Sequence, residues 1–260
     1  MSKKDLNSRL YIKFCRFILN QRFMRVMDGP LKGYMWSTNS NYDYILGTYE
    51  NPLVLRTCED WFKNDTVFYD LGANVGFFAL LANQYITSGK IYSFEPIAFI
   101  RELFQQHLKL NKVHIRSDNI QLFPFGISDK EKEIPFSHST IQREGNTYIL
   151  NSPIIRKDGN AALVKCYAID ELVRQGYDPP TVIKIDVEGA EYDVLKGALD
   201  TIIHHRPNIL LATHDCHLPG VDEQCTRLLT EQGYLLKNAG NYNCHNTGLA
   251  NYIAVHSSRG

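Results

Sequence analysis

The 260-residue sequence contains no run of apolar residues long enough to span a bilayer, so no stable membrane insertion is expected. It has no surplus of charge of either sign, since 28 Lys plus Arg balance 28 Asp plus Glu. Without a cationic surplus there is no overall pull toward phosphate backbones, and nucleic acid is not an expected partner. No C-x-x-C pair occurs among Cys15, Cys58, Cys166, Cys216, Cys225 and Cys244, which are scattered over a chain too long to need disulfide staples. The basic N-terminus has no signal-peptide core, because Arg9, Lys13 and Arg16 interrupt every apolar stretch. These absences predict reduced thiols and a cytoplasmic protein. No internal repeat or low-complexity tract is visible. With 44% hydrophobic residues the chain has too much apolar content to be disordered, and its length fits one large domain.

What is there divides at about residue 62. Residues 1–62 read as a helical and aromatic lead-in packed on the core. Apolar residues from Leu6 to Phe23 recur at helical spacing among Lys and Arg. Such a basic amphipathic helix can lie on an anionic membrane or a partner, but docking on the main body is the expectation here. Asn51-Pro52 opens a helix to about Phe62. Residues 63–260 then alternate strands with helices. Strands are predicted at Thr66–Leu71, Lys90–Phe94, Ile120–Gly126, Val182–Val187 and Ile209–Thr213, and helices at Val75–Tyr85, Ile97–Leu110, Glu191–Leu199 and Glu223–Glu231. That rhythm means right-handed crossovers and a doubly wound, mostly parallel sheet. Tyr234–Lys237 and Tyr252–His256 are expected to pair antiparallel at an edge. The polar stretch 130–162 breaks the pattern and reads as an insertion, a candidate lid.

The most informative words are Asp70-Leu71-Gly72-Ala73-Asn74-Val75-Gly76, a strand running through a glycine-rich turn into a helix. Glycine permits close backbone approach and unusual dihedrals, and the helix start offers free N–H groups. Asn74 stands where the dinucleotide fingerprint has its second glycine, and Asp70 at the strand end would repel a pyrophosphate. Glu95 ends the next strand, at a distance from the turn suited to accepting both hydroxyls of a ribose. Asp70 and Glu95 together describe a nucleoside with an unphosphorylated, cationic tail, which is S-adenosylmethionine. A nicotinamide cofactor is disfavoured by the same acid.

This stretch resembles motif I of class I methyltransferases. Lys184-Ile185-Asp186-Val187-Glu188-Gly189-Ala190-Glu191, with Val194-Leu195-Lys196-Gly197-Ala198, resembles the hallmark of FkbM-type methyltransferases. So do Gly47-Thr48-Tyr49-Glu50 upstream and Pro207-Asn208-Ile209-Leu210-Leu211 downstream. The resemblance runs roughly from Gly47 to His214. It implies a seven-stranded Rossmann-like sheet with an antiparallel edge strand, to which the helical lead-in adds an N-terminal extension outside the resemblance. It also implies O-methyl transfer to a hydroxyl of a sugar or natural product. Cofactor-binding candidates are Glu50, Asp70, Gly72, Asn74, Gly76, Glu95 and Asp186.

Asp186 can hold the donor's amine, orient the acceptor or ligate a divalent cation. A metal site is not favoured; if one exists, Asp186 and Asp215 are its candidates. His214-Asp215-Cys216-His217, with Cys225, Cys244 and His245, offers zinc ligand types at spacings that fit no recognised zinc module. Glu191 is explained by the helix dipole. A hydroxyl acceptor must lose a proton, and His214, at a strand end and titrating near neutrality, is the preferred base, with Asp186 as alternative. Tyr49, Glu188 and His214 are the substrate-binding candidates, and Tyr34, Trp36, Tyr42 and Tyr44 serve either recognition or the core. The rival readings are carboxyl or amine methylation of a peptide natural product, and an inactive scaffold of the same fold. The acceptor is thus a small molecule or a peptide; oligomeric state is not legible.

Overall fold

Helical spacing in the first residues produces α1 (Lys3–Phe17), which stops at Phe17 rather than at Phe23. Asn20 takes a left-handed φ of 51°, and Phe23–Arg25 becomes a strand, β1, paired antiparallel with β2 (Met35–Ser37). The computed structural model describes residues 3–143, 146–152, 162–240 and 248–259. Two short helices follow, α2 (Tyr42–Leu46) and α3 (Pro52–Trp61). Asn41 and Asn51 cap them through side-chain oxygens, and Pro52 occupies a first-turn position where a missing N–H costs nothing.

The strand–helix rhythm then begins with β3 (Val67–Leu71), α4 (Phe77–Asn83), β4 (Lys90–Phe94), α5 (Ala98–Leu110) and β5 (Ile120–Phe123). The predicted strand Ile120–Gly126 is split at Pro124, which has no N–H to donate. Its second part, β6 (Gly126–Ile127), joins another sheet with β7 (Lys132–Arg143), β8 (Asn146–Ser152) and β9 (Ala162–Tyr167). The insertion is therefore in part a β-hairpin rooted beside the main sheet; residues 144–145 and 153–161 of the expected lid lie outside the described residues. α6 (Ile169–Arg174) returns the chain to β10 (Val182–Ile185). The predicted helix Glu191–Leu199 is two, α7 (Glu191–Lys196) and α8 (Leu199–His205). They part at Gly197, where a Cβ would lie 2.1 Å from the Ser128 carbonyl oxygen. β11 (Asn208–His214), α9 (Val221–Glu231), β12 (Tyr234–Asn238) and β13 (Leu249–His256) complete the chain.

The main sheet has seven strands in the order β12-β13-β11-β10-β3-β4-β5. β13 is antiparallel to both neighbours and sits inside the edge strand β12, while β11, β10, β3, β4 and β5 are parallel. Alternation along β3 sends Phe68 and Asp70 to one face and Tyr69 and Leu71 to the other. Lys184 of β10 pairs with Asp70 and with Leu210 of β11, so all three share the first face. That face is covered by α4 and by the lead-in, whose Trp36, Tyr44 and Ile45 join Phe68, Phe77 and Phe104 in one core. Tyr69, Leu71, Phe94, Ile183, Ile185 and Leu211 form the opposite core under α7 to α9. Each fully buried Ile, Leu or Phe stabilises by roughly 1.5–3 kcal/mol, which fixes the register of both faces.

Candidate active site

β10 ends at Ile185, not at Val187, and the chain turns away through Asp186 to Glu188, whose φ of 60° is left-handed. The turn after β3 runs against this point. A Cβ on Gly72, whose φ is 72°, would lie 1.9 Å from the Asp186 carbonyl oxygen. One on Gly76, with φ of 91°, would lie 2.2 Å from the Phe104 ring. Both glycines are thus required by contacts within the protein as well as by their dihedrals. Asn74, itself at φ 49°, donates its N–H to Glu95 Oε2 at 3.0 Å.

Lys184 is the hub beneath this turn. Its Nζ donates to the Gly72 carbonyl at 2.9 Å and lies 3.5 Å from Asp70 Oδ1 and 3.3 Å from Asp186 Oδ2. Burial opposes its charge, but the two carboxylates raise its pKa. Asp186 is pushed up by burial and pulled down further by Lys184 and His214, so it is held below the usual carboxylate range. Asp70 is fully buried, neither of its oxygens accepts a hydrogen bond, and burial raises its pKa. An unsatisfied buried carboxylate costs stability unless something completes it. Glu95 Oε1 accepts the Ile97 N–H at 2.9 Å, which leaves lone pairs on both oxygens; burial pushes this acid up to about 7.

Two cavities meet at Asp186 and Glu188. The first is mostly apolar: Gly72, Glu95 and Pro96 on one side, Ile127, Ile134, Val164 and Cys166 from the root of the small sheet on the other. The second is polar and lined by Asn41, Asp43, Tyr49, Glu50, His214 and Asn251. Asp70 lines neither; Lys184 Nζ, 3.5 Å away, is its neighbour. Tyr34, Trp36, Tyr42 and Tyr44 are core residues, whereas Tyr49 stacks on Tyr44 at 3.8 Å and reaches the polar cavity. Glu50 is raised to about 7 by burial.

His214, at the end of β11, is 7% exposed. Its Nδ1 lies 2.8 Å from Glu191 Oε1; a carboxylate only accepts, so Nδ1 carries the hydrogen. Nε2 then faces Asp186 Oδ1 and Glu188 Oε2, each at 3.6 Å. Burial disfavours its cation, but Glu191, Asp186 and Glu188 together lift it to about 9. Glu191 is the residue that sequence reasoning missed. A helix-start acid looks sufficient in the sequence, yet this one is fully buried and also accepts the Gly189 N–H at 2.8 Å. Asn251, from the far end of the chain, gave no sequence signal at all.

Asp186, Glu188 and His214 place ligand atoms within 4.8 Å of one another and can offer a cation two oxygens and a nitrogen. Asp215 stands apart from them, its Oδ1 accepting the Asp222 N–H at 2.8 Å in the first turn of α9. Cys244 and His245 lie outside the described residues, and Cys225 is buried.

The apolar slot beside an acid with open lone pairs, near a buried carboxylate that accepts no hydrogen bond, suits a ligand with a flat ring, vicinal hydroxyls and a cationic end. A profile of the methyltransferase FkbM domain matches residues 70–236. The hexuronic acid methyltransferase AglP of Haloferax volcanii is 29% identical over 180 residues, covering 68% of this chain and 67% of AglP. The AMB antimetabolite synthetase AmbE of Pseudomonas aeruginosa is 25% identical over 225 residues; the match takes in 70% of this chain but 10% of the synthetase. The crystal structure of the methyltransferase FkbM from Methylobacillus flagellatus superposes with a TM-score of 0.51 at 20% identity, over 74% of this chain and 44% of that one. Its likeness shows the class I methyltransferase fold. Because the profile spans well over half of the sequence, from Asp70 on β3 to Leu236 on β12, the chain belongs to the FkbM methyltransferase family and is a methyltransferase that uses S-adenosylmethionine.

Proposed function

We propose that the enzyme methylates a hydroxyl oxygen of a small molecule, a sugar or sugar-bearing natural product, with His214 as the base. The observation that carries this reading is the Glu191–His214 pair, which holds a single ring nitrogen, Nε2, toward the polar cavity. Bound in the adjoining slot, S-adenosylmethionine supplies an activated methyl group on a sulfonium. The protein's share is to align the acceptor, exclude water and take the hydroxyl proton. The slot beside Glu95 is assigned to the donor, with Glu95 accepting ribose hydroxyls and Gly72, Asn74 and Gly76 shaping the turn. Asp70 and Asp186, linked through Lys184, set the negative potential that favours the donor's cationic end. The cavity lined by Tyr49, Glu50, Glu188 and His214 is assigned to the acceptor. Carboxylates, asparagines and a tyrosine together suit a polyol, whose hydroxyls donate to them. The name of AglP, a hexuronic acid methyltransferase, agrees with a sugar-derived acceptor.

A second reading rests on His214 itself. The lift to about 9 favours the imidazolium over the neutral base near pH 7, and in that form the ring can hold an acceptor carboxylate, which needs no base. Incubating the enzyme with S-adenosylmethionine and a uronic acid glycoside, then treating the product with mild alkali, separates the two. A methyl ether survives alkali; a methyl ester does not. His214→Asn should lower kcat by about 10²–10⁴ for a hydroxyl acceptor with KM little changed. Alkali-labile product, or a variant that raises KM and spares kcat, would replace the hydroxyl reading with the carboxylate one.

A further inference from the structure

We propose that α1 and the turn after it form a docking surface for an anionic lipid bilayer. Ile12 and Cys15 bury one side of α1 against the core. The other side is not covered: Leu6, Leu10, Phe14 and Phe17 recur at steps of three and four residues, and Ile18 and Leu19 extend the strip beyond the helix. Each of these is 47–69% exposed. With Tyr11 they make seven of the fifteen large hydrophobic residues exposed among the described residues, all within residues 6–19. Scattered apolar residues are ordinary on a surface, but a contiguous strip marks a place where water is displaced.

Charge selects the occupant. Residues 1–25 hold seven Lys or Arg and one acid, while residues 26–260 hold 21 and 27, so a neutral chain carries +6 at one end against −6 elsewhere. Arg9 is committed to Asp43, an ion pair that pins the helix to the body. Lys13, Arg16 and Arg22 flank the strip, Arg16 with its guanidinium 4.9 Å over the Phe17 ring. A second copy of the chain would bring two such cationic strips face to face and repel. An anionic leaflet offers both an apolar layer for the leucines and phenylalanines and phosphates for the bases. Fifteen residues with internal Arg and Lys lie in the interface plane and do not cross; no helix among the described residues is long and apolar enough to span.

The test is co-sedimentation of the full chain with vesicles of phosphatidylcholine alone or mixed with phosphatidylglycerol. The protein should pellet with the anionic vesicles and not with the neutral ones. Arg16→Glu and Arg22→Glu should each weaken binding by about five-fold or more, and Phe14→Glu with Ile18→Glu should abolish it. Circular dichroism and affinity for S-adenosylhomocysteine should be unchanged in these variants, which shows that the fold and the donor slot are intact. Failure to pellet with anionic vesicles overturns the proposal. So does equal binding to neutral ones, or a dimer in light scattering that Phe14→Glu converts to monomer.

Discussion

Replacing Glu191 by glutamine keeps the shape of the buried side chain and its ability to accept from His214 Nδ1, but removes the charge. His214 stands at about 9 against an ordinary value of 6.5, with Glu191 its closest carboxylate at 2.8 Å. That displacement corresponds to about 3 kcal/mol favouring the imidazolium. Removing one hydrogen-bonded carboxylate should lower the folded pKa by about one to two units. Because the folded pKa lies above the unfolded one, this stabilisation is fully present below about pH 6.5 and is lost as pH rises through about 9. In Glu191→Gln the loss comes earlier, and the variant should be about 1–2 kcal/mol less stable at pH 7 through this linkage. The assay is titration of the His214 imidazole by NMR, alongside urea midpoints across the same pH range. If methyl transfer needs neutral His214, the alkaline rise in kcat should shift down by the same amount. An imidazole midpoint unmoved in the variant would refute the coupling.

A chelator should leave activity unchanged, because Lys184 already pairs with Asp186 and His214 faces both Asp186 and Glu188, so these acids have cationic partners without a metal ion. Loss of turnover on chelation, restored by Mg²⁺, would show instead that Asp186, Glu188 and His214 hold a metal. Gly76→Ala should lower stability by about 2–4 kcal/mol, since it adds left-handed strain to a clash with the buried Phe104 ring. A melting temperature equal to that of the parent would mean the α4 turn adapts.

Elements were legible wherever side-chain period and punctuation agreed. β4 was read at its observed limits, and the strand–turn–helix around Gly72 was plain because Gly and Asn mark left-handed positions. The break at Pro124 could have been read, since a proline inside a strand argues against continuity. The hairpin β7–β8 could not: its polar sequence looks like a loop. Gly197 illustrates a different limit. Its need for no side chain comes from Ser128, nearly seventy residues away. At the site, the strand-end acids and His214 were visible as types at positions. Their grouping was not, because the Glu191–His214 and Lys184–Asp70 pairings depend on sheet register and burial. Burial also assigned the aromatic lead-in, placing Trp36 and Tyr44 in the core and only Tyr49 at the cavity.

The claim most in need of trial is that the β3–β10 cleft holds the donor through charge at Asp70 and hydrogen bonding at Glu95. Calorimetric titration of the parent, Asp70→Asn and Glu95→Gln with S-adenosylhomocysteine tests it directly. The parent should bind with micromolar affinity, and each variant, with circular dichroism unchanged, should bind about 10- to 100-fold more weakly, the value of a charge-assisted hydrogen bond or its electrostatic equivalent. Affinities in both variants equal to that of the parent would mean that Asp70 serves only as a counter-ion to Lys184, that Glu95 serves only to brace the turn, and that the donor sits elsewhere.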